Sequence, residues 1–145
     1  MQVEEATIPF PVATELLFTP QRLLAYLALG ILEDNHASTE ESFWLIGLTR
    51  ERRPILRQRL GLGVDVASQI TPRHVFTCVL SSAAETFACI RVQYHESIEP
   101  RAADLWLLWN LHEVAQRLDL VFADYIITQL DGCVYFSSAE RRREG

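Results

Sequence analysis

The chain has no lysine. Its 13 basic residues are all arginine, set against 19 acidic ones, for a net charge of −6. With no side-chain amine to form an isopeptide bond, a substrate tagged on lysine by a ubiquitin-like modifier is excluded. The acidic balance sets the whole-molecule field against nucleic acid, so a nucleic-acid partner is not expected. Cysteine is scarce too: Cys78, Cys89 and Cys133 stand singly inside apolar segments, with an odd count and no CxxC pair. That pattern reads as buried free thiols rather than disulfides or a thiolate zinc site. The apolar runs LLAYLALGIL and LWLLWNL are too short for a membrane span and are bounded by polar residues, so no membrane association is expected. MQVEEATIPF lacks the basic and apolar regions of a secretory signal, which makes a cytoplasmic protein the expectation. There is no Gly-rich phosphate loop, no internal repeat and no low-complexity tract.

What is present fits one α/β domain. The length is 145 residues and 49% of them are apolar, enough for one sizeable core. Residues 1–7 read as a flexible N-terminus, and IPFPVATELLF after them as an edge strand. Thr19-Pro20 starts a helix, with threonine as cap and proline at the first helical position; its apolar stripe runs to about Leu32. A polar loop over 33–40 follows. FWLIGL, residues 43–48, is a buried strand, turned by TRERRP into a returning strand, ILRQRLGLG. Residues 64–70 are irregular. Thr71-Pro72 starts a second helix, and residues 86–92 form a second buried strand. A third helix spans 101–118, with Leu105, Leu108, Leu111, Val114 and Ala115 at helical spacing. Strands over 120–129 and 133–137 close the domain around Leu130-Asp131-Gly132. Residues 139–145 read as a disordered basic tail. The expected architecture is a mixed β-sheet with flanking helices.

Phe87 to Leu105, FACIRVQYHESIEPRAADL, is the stretch that carries most information. It runs from an apolar strand through a polar loop to Pro100 and a helix with Asp104 in its first turns. Three further segments stand with it in order: Glu41 to Thr49 (ESFWLIGLT), Ile70 to Phe76 (ITPRHVF) and Asp124 to Tyr135 (DYIITQLDGCVY). Together they resemble the RadC-like branch of the JAB/MPN (JAMM) metallopeptidase family over roughly residues 8–138. The resemblance implies the JAB/MPN, cytidine-deaminase-like architecture. It also implies a site in which two histidines and an aspartate hold zinc, a glutamate activates the bound water and a serine assists the substrate carbonyl. Registering the HxHPSGDPxPSxxD motif on Pro100 and Asp104 puts the histidines at Arg91 and Gln93 and the serine at Arg101. Only Asp104 and Glu41 match. A guanidinium keeps its proton and cannot ligate, and glutamine is a poor ligand for zinc.

The resemblance therefore implies an inactive member with no metal expected, Glu41 surviving as a vestigial general base, and a protein or peptide partner. Removing a dication from between Glu41 and Asp104 would leave two carboxylates facing each other. Arg91 either pairs with one of them in place of the metal or points to solvent at the strand end. The rival reading is a zinc hydrolase with a site rebuilt from His95, Asp104 and Glu41, with Cys89 near. DNA association is a third reading, opposed by the charge.

Elsewhere the bland readings prevail. His36 sits in a polar loop, His74 at a helix start, and His112 beside Trp109 as a partly buried polar residue. Ser81-Ser82 has no base at a diagnostic spacing. Arg50, Arg52 and Arg53, like Arg141 to Arg143, read as solvated surface. Trp44, Trp106 and Trp109 read as core by spacing. The third helix then looks apolar nearly all round, so one side is a candidate for cover by a second subunit in a symmetric dimer.

Overall fold

Threonine followed by proline starts two of the helices. In a computed structural model, which describes residues 19–34, 40–94, 97–129 and 134–144, helix α1 spans Pro20–Asp34 and α2 spans Pro72–Ser81. The Thr19 hydroxyl accepts the Arg22 N–H at 3.2 Å, and the Thr71 hydroxyl accepts the His74 N–H at 3.1 Å. Each satisfies one of the donors that a helix start leaves without an intrahelical partner. The expected edge strand over 8–18, the 130–132 turn, His36, His95 and Cys133 lie outside the described residues.

Strands β1 (Ser42–Leu48) and β2 (Pro54–Leu62) form the expected hairpin. Its turn is closed by Thr49, whose N–H donates to the Arg53 carbonyl at 2.8 Å, with Arg52 at a positive φ of 71°. A short 3-10 turn, Val66–Gln69, lies within the irregular segment. Strand β3 (Thr86–Gln93), helix α3 (Ala102–Arg117) and strand β4 (Val121–Gln129) form a β–α–β crossover, and β5 (Tyr135–Ser137) returns beside β4. The sheet order is β2-β1-β3-β4-β5. Among the described strands only β3 and β4 run parallel, so the sheet is mixed and the α/β architecture is as expected.

Strand alternation sorts the core into two layers. Phe43, Leu45, Phe87, Cys89, Tyr125 and Ile127 face α2 and α3. Trp44, Ile46, Leu48, Ala88, Ile90, Val92 and Ile126 face α1 through Leu23, Tyr26 and Leu27. Arg91 and Gln93 share the parity of Phe87 and Cys89, which aims both at α3.

Two expectations are corrected. The segment read as a disordered tail forms helix α4, Ser138–Glu144. Buried Asp124 holds its start, accepting from the hydroxyls of Ser137 (2.6 Å) and Ser138 (3.1 Å) and from the Ala139 N–H (3.0 Å). Ser137 in turn accepts the Glu140 N–H at 3.1 Å. The signal was legible as Ser137-x-x-Glu140, a capping-box pattern, but the run of arginines drew the reading toward disorder. The second correction concerns α3. Trp44 is buried, whereas Trp106 and Trp109 are 58% and 64% exposed, and Leu105 is 54% exposed. The helix buries Asp104, Leu107, Leu111 and Ala115 instead. Its inward face is set by the aspartate, which periodicity of apolar residues does not count.

Candidate functional site

The site forms where the C-terminal end of β3 meets the first turn of α3. Arg91 lies opposite Phe43 on β1 and Ile127 on β4, in the middle of the sheet, and its side chain is wholly buried. A guanidinium there requires a partner, because an unpaired buried charge costs several kcal/mol, on the order of the effective desolvation of one ion. The partner is Asp104. Arg91 Nε donates to Asp104 Oδ1 at 2.9 Å and Nη2 to Oδ2 at 2.8 Å, a two-pronged pair with both side chains at 1% exposure or less.

Two more donors complete the carboxylate. The Tyr125 hydroxyl, reaching from β4, donates to Oδ1 at 2.7 Å, and the Arg101 N–H donates to Oδ2 at 2.8 Å. The second contact is one half of a capping box, with the third helical residue reaching back to the cap. Each oxygen of Asp104 thus accepts two hydrogen bonds, the ordinary capacity of an ionised carboxylate. Burial pushes its pKa up; Arg91, Tyr125 and the Arg101 N–H more than reverse this and hold it below its ordinary value of 3.8. The Tyr125 phenol, buried and beside a carboxylate, is pushed well above its ordinary value and stays a donor.

A second arginine holds the other carboxylate. Arg101 Nη1 and Nη2 donate to Glu41 Oε1 and Oε2 at 3.0 and 2.7 Å. Arg91 Nη1 lies 3.9 Å from Glu41 Oε1, so the Asp104 pairing is the close one and Glu41 receives only its longer-range charge. Burial raises the Glu41 pKa, Arg101 and then Arg91 lower it, and the balance is below the ordinary value of 4.5. Gln93 joins the halves. Its Oε1 accepts from Arg91 Nη1 and, at 3.4 Å, from Arg101 Nη2, while its Nε2 donates to the Ser97 carbonyl. The result is an alternating cluster of two carboxylates and two guanidiniums bridged by one amide.

This donor set does not fit a zinc ion. Two of its five side chains are cations, the amide is engaged at both ends, and Asp104 has no lone pair to spare. Among the described residues, no group of three or more His, Cys, Asp and Glu side chains gathers as a metal site would require. His95 falls outside those residues. Cys89 is buried in the core, and burial pushes its thiol far up. His74 is exposed at the start of α2 and His112 is partly buried on α3. A cavity of about 390 Å³, lined by Glu41, Val64, Asp65, Arg101, Ala102 and Ala103, opens beside the cluster.

Sequence reading named Arg91, Gln93, Arg101, Asp104 and Glu41, and the structure brings all five together. It missed Tyr125 and gave Arg101 no partner. Tyr125 was findable: it sits opposite Cys89 across the parallel pair, two residues short of Arg91, on the same face. The Arg101–Glu41 pair joins residues 60 apart in sequence and left no local signal.

A β–α–β crossover on a mixed sheet with flanking helices is consistent with the JAB/MPN fold. The profile of the RadC-like JAB domain family matches residues 17–143, and the chain belongs to that family. No curated protein matches the chain.

Proposed function

We propose that this chain is a catalytically inactive RadC-like JAB domain, serving in the cytoplasm as a protein- or peptide-binding module. The observation that carries the reading is the two-pronged Arg91–Asp104 pair in a buried site where the family's enzymes are expected to hold a metal. A guanidinium supplies positive charge between the two carboxylates, but it has no open coordination position and cannot polarise a bound water as a metal does. Glu41 is then a remnant of the general base. Gripped by Arg101 and held below the ordinary carboxylate range, it is a weak proton acceptor.

What remains usable is the surface around the former chemistry. β2 is an outer strand of the described sheet, and its end at Leu62 leads through Gly63 to Val64 and Asp65 on the rim of the cavity. An extended peptide laid along such an edge gains main-chain hydrogen bonds and places a side chain in the adjoining pocket.

Zinc content measured beside hydrolysis tests this. Protein produced with zinc supplied is expected to carry far less than one zinc per chain and to leave peptide and isopeptide substrates intact. In the R91H/Q93H variant, the imidazoles stand i and i+2 on one strand face toward Asp104, and zinc uptake is expected to rise toward stoichiometry. Near-stoichiometric zinc in the unaltered protein, lost on Asp104→Ala, would overturn the reading in favour of a hydrolase with a rearranged site.

A further inference from the structure

Helix α3 carries its largest side chains on the outside. At about 3.6 residues per turn, Ala102, Leu105, Trp106, Trp109 and Glu113 share the arc opposite the buried Asp104, Leu111 and Ala115. Two indoles more than half exposed and one turn apart are unusual for a surface helix, since a Trp side chain gains more from burial than any other. The stripe has no role in the ion-pair cluster; it faces away from it.

We infer that this face is the contact between two copies of the chain, packed antiparallel about a two-fold axis that crosses α3 near Leu107 and Leu108. The area argues for a second copy. A whole Trp side chain presents up to roughly 250 Å², so the exposed parts of Trp106 and Trp109 amount to about 300 Å² on each copy, before Leu105 is added. Doubled by symmetry, this is about 600 Å² of apolar surface. At the ~60% apolar share of ordinary interfaces, it seeds a contact of about 1,000 Å², the lower bound for a specific one.

Charge fixes the register. With the axis near Leu107–Leu108, Trp106 of each copy meets Trp109 of the other, and four indoles form the centre. The same register brings exposed Arg117 at the end of the helix toward Glu99 ahead of the other copy's helix. This flanking pair is of opposite sign and occurs twice, as an isologous contact requires. Favourable pairs at the rim set orientation and partner choice more than affinity.

Sedimentation velocity of the full chain from low to high micromolar concentration is the test. A monomer–dimer equilibrium is expected, with a blue shift and reduced acrylamide quenching of Trp fluorescence on association. W106A/W109A is expected to remain monomeric, with a Tm equal to that of the unaltered chain at low concentration, where the latter is monomeric, since neither side chain is core. Glu99→Arg and Arg117→Glu are each expected to weaken association about tenfold, and the double variant to restore it. A chain that stays monomeric throughout, or a dimer indifferent to loss of both tryptophans, overturns the inference. So does a charge swap that fails to rescue. None of these outcomes depends on the metal content of the site.

Discussion

One arginine decides the chemistry of this domain. Arg91 is among the largest fully buried side chains, yet it is ionised, and that state is tolerable only because Asp104 answers it with two hydrogen bonds. Pairs of this kind are costly to break and replaceable as a unit. Arg91→Ala is expected to destabilise the fold by about 3–5 kcal/mol, because it strands a buried carboxylate. An R91M/D104L double variant is expected to be markedly more stable than either single change, a coupling that urea unfolding reads directly. The carboxylates also predict the response to acid. Asp104 and Glu41 are held below their ordinary values of 3.8 and 4.5, so each binds its proton less readily folded than unfolded. Their contribution is complete above about pH 5 and drains away as pH falls through and below those values. Asp124 runs the other way: burial raises its pKa despite four donors, so its contribution grows as the solution becomes more acidic. Urea midpoints from pH 7 down to pH 3 are expected to fall, and to fall less steeply in Asp104→Asn.

At the scale of elements, caps and chain ends do most of the placing. Thr19 and Thr71 start helices, Asp104 ties the first turn of α3 to its own cap, and Asp124 gathers the start of α4. The contacts of Thr19, Thr71 and Asp104 span three residues each, which is why the first two helix starts were readable from Thr-Pro pairs, whereas Asp124 reaches 13 to 15 residues along the chain to the start of α4. The same logic exposes a weak point. Helix α2 ends with Ala83 at a φ of 65°, where the Ala84 N–H reaches back to the Val79 carbonyl at 3.3 Å. The left-handed conformation costs a residue with a Cβ roughly 1–2 kcal/mol, and glycine escapes it. After its greater unfolded-state entropy is offset, Ala83→Gly is expected to stabilise the protein by about 0.5–1 kcal/mol, measured as a higher Tm. Strand placement was legible for a different reason. β1 and β3 are short apolar runs buried on both faces, and such runs have no amphipathic alternative.

At the scale of the whole molecule, the two faces of α3 have different tasks. The inner face closes the ion-pair cluster through Asp104; the outer carries Trp106 and Trp109 into solvent. Ala102 and Ala103, which begin the same helix, line the cavity, so the proposed dimer contact and the proposed binding surface share one element. No helix among the described residues is long and apolar enough to cross a membrane.

The sequence by itself determined the three longer helices and the five strands of the described sheet, and their order, and its resemblance to a known motif picked out all five cluster residues, since hydrophobic period, caps and motif spacing are properties of neighbouring residues; α4 it did not. It left Arg91 between Asp104, Glu41 and solvent, and it placed Trp106 and Trp109 in the core. Tertiary structure decided both. Which carboxylate a guanidinium grips depends on how α3 lands on β3, and a helix buries the side that its neighbours leave room for. Asp104 takes that side here because Arg91 and Tyr125 offer it more than packing alone would offer an indole.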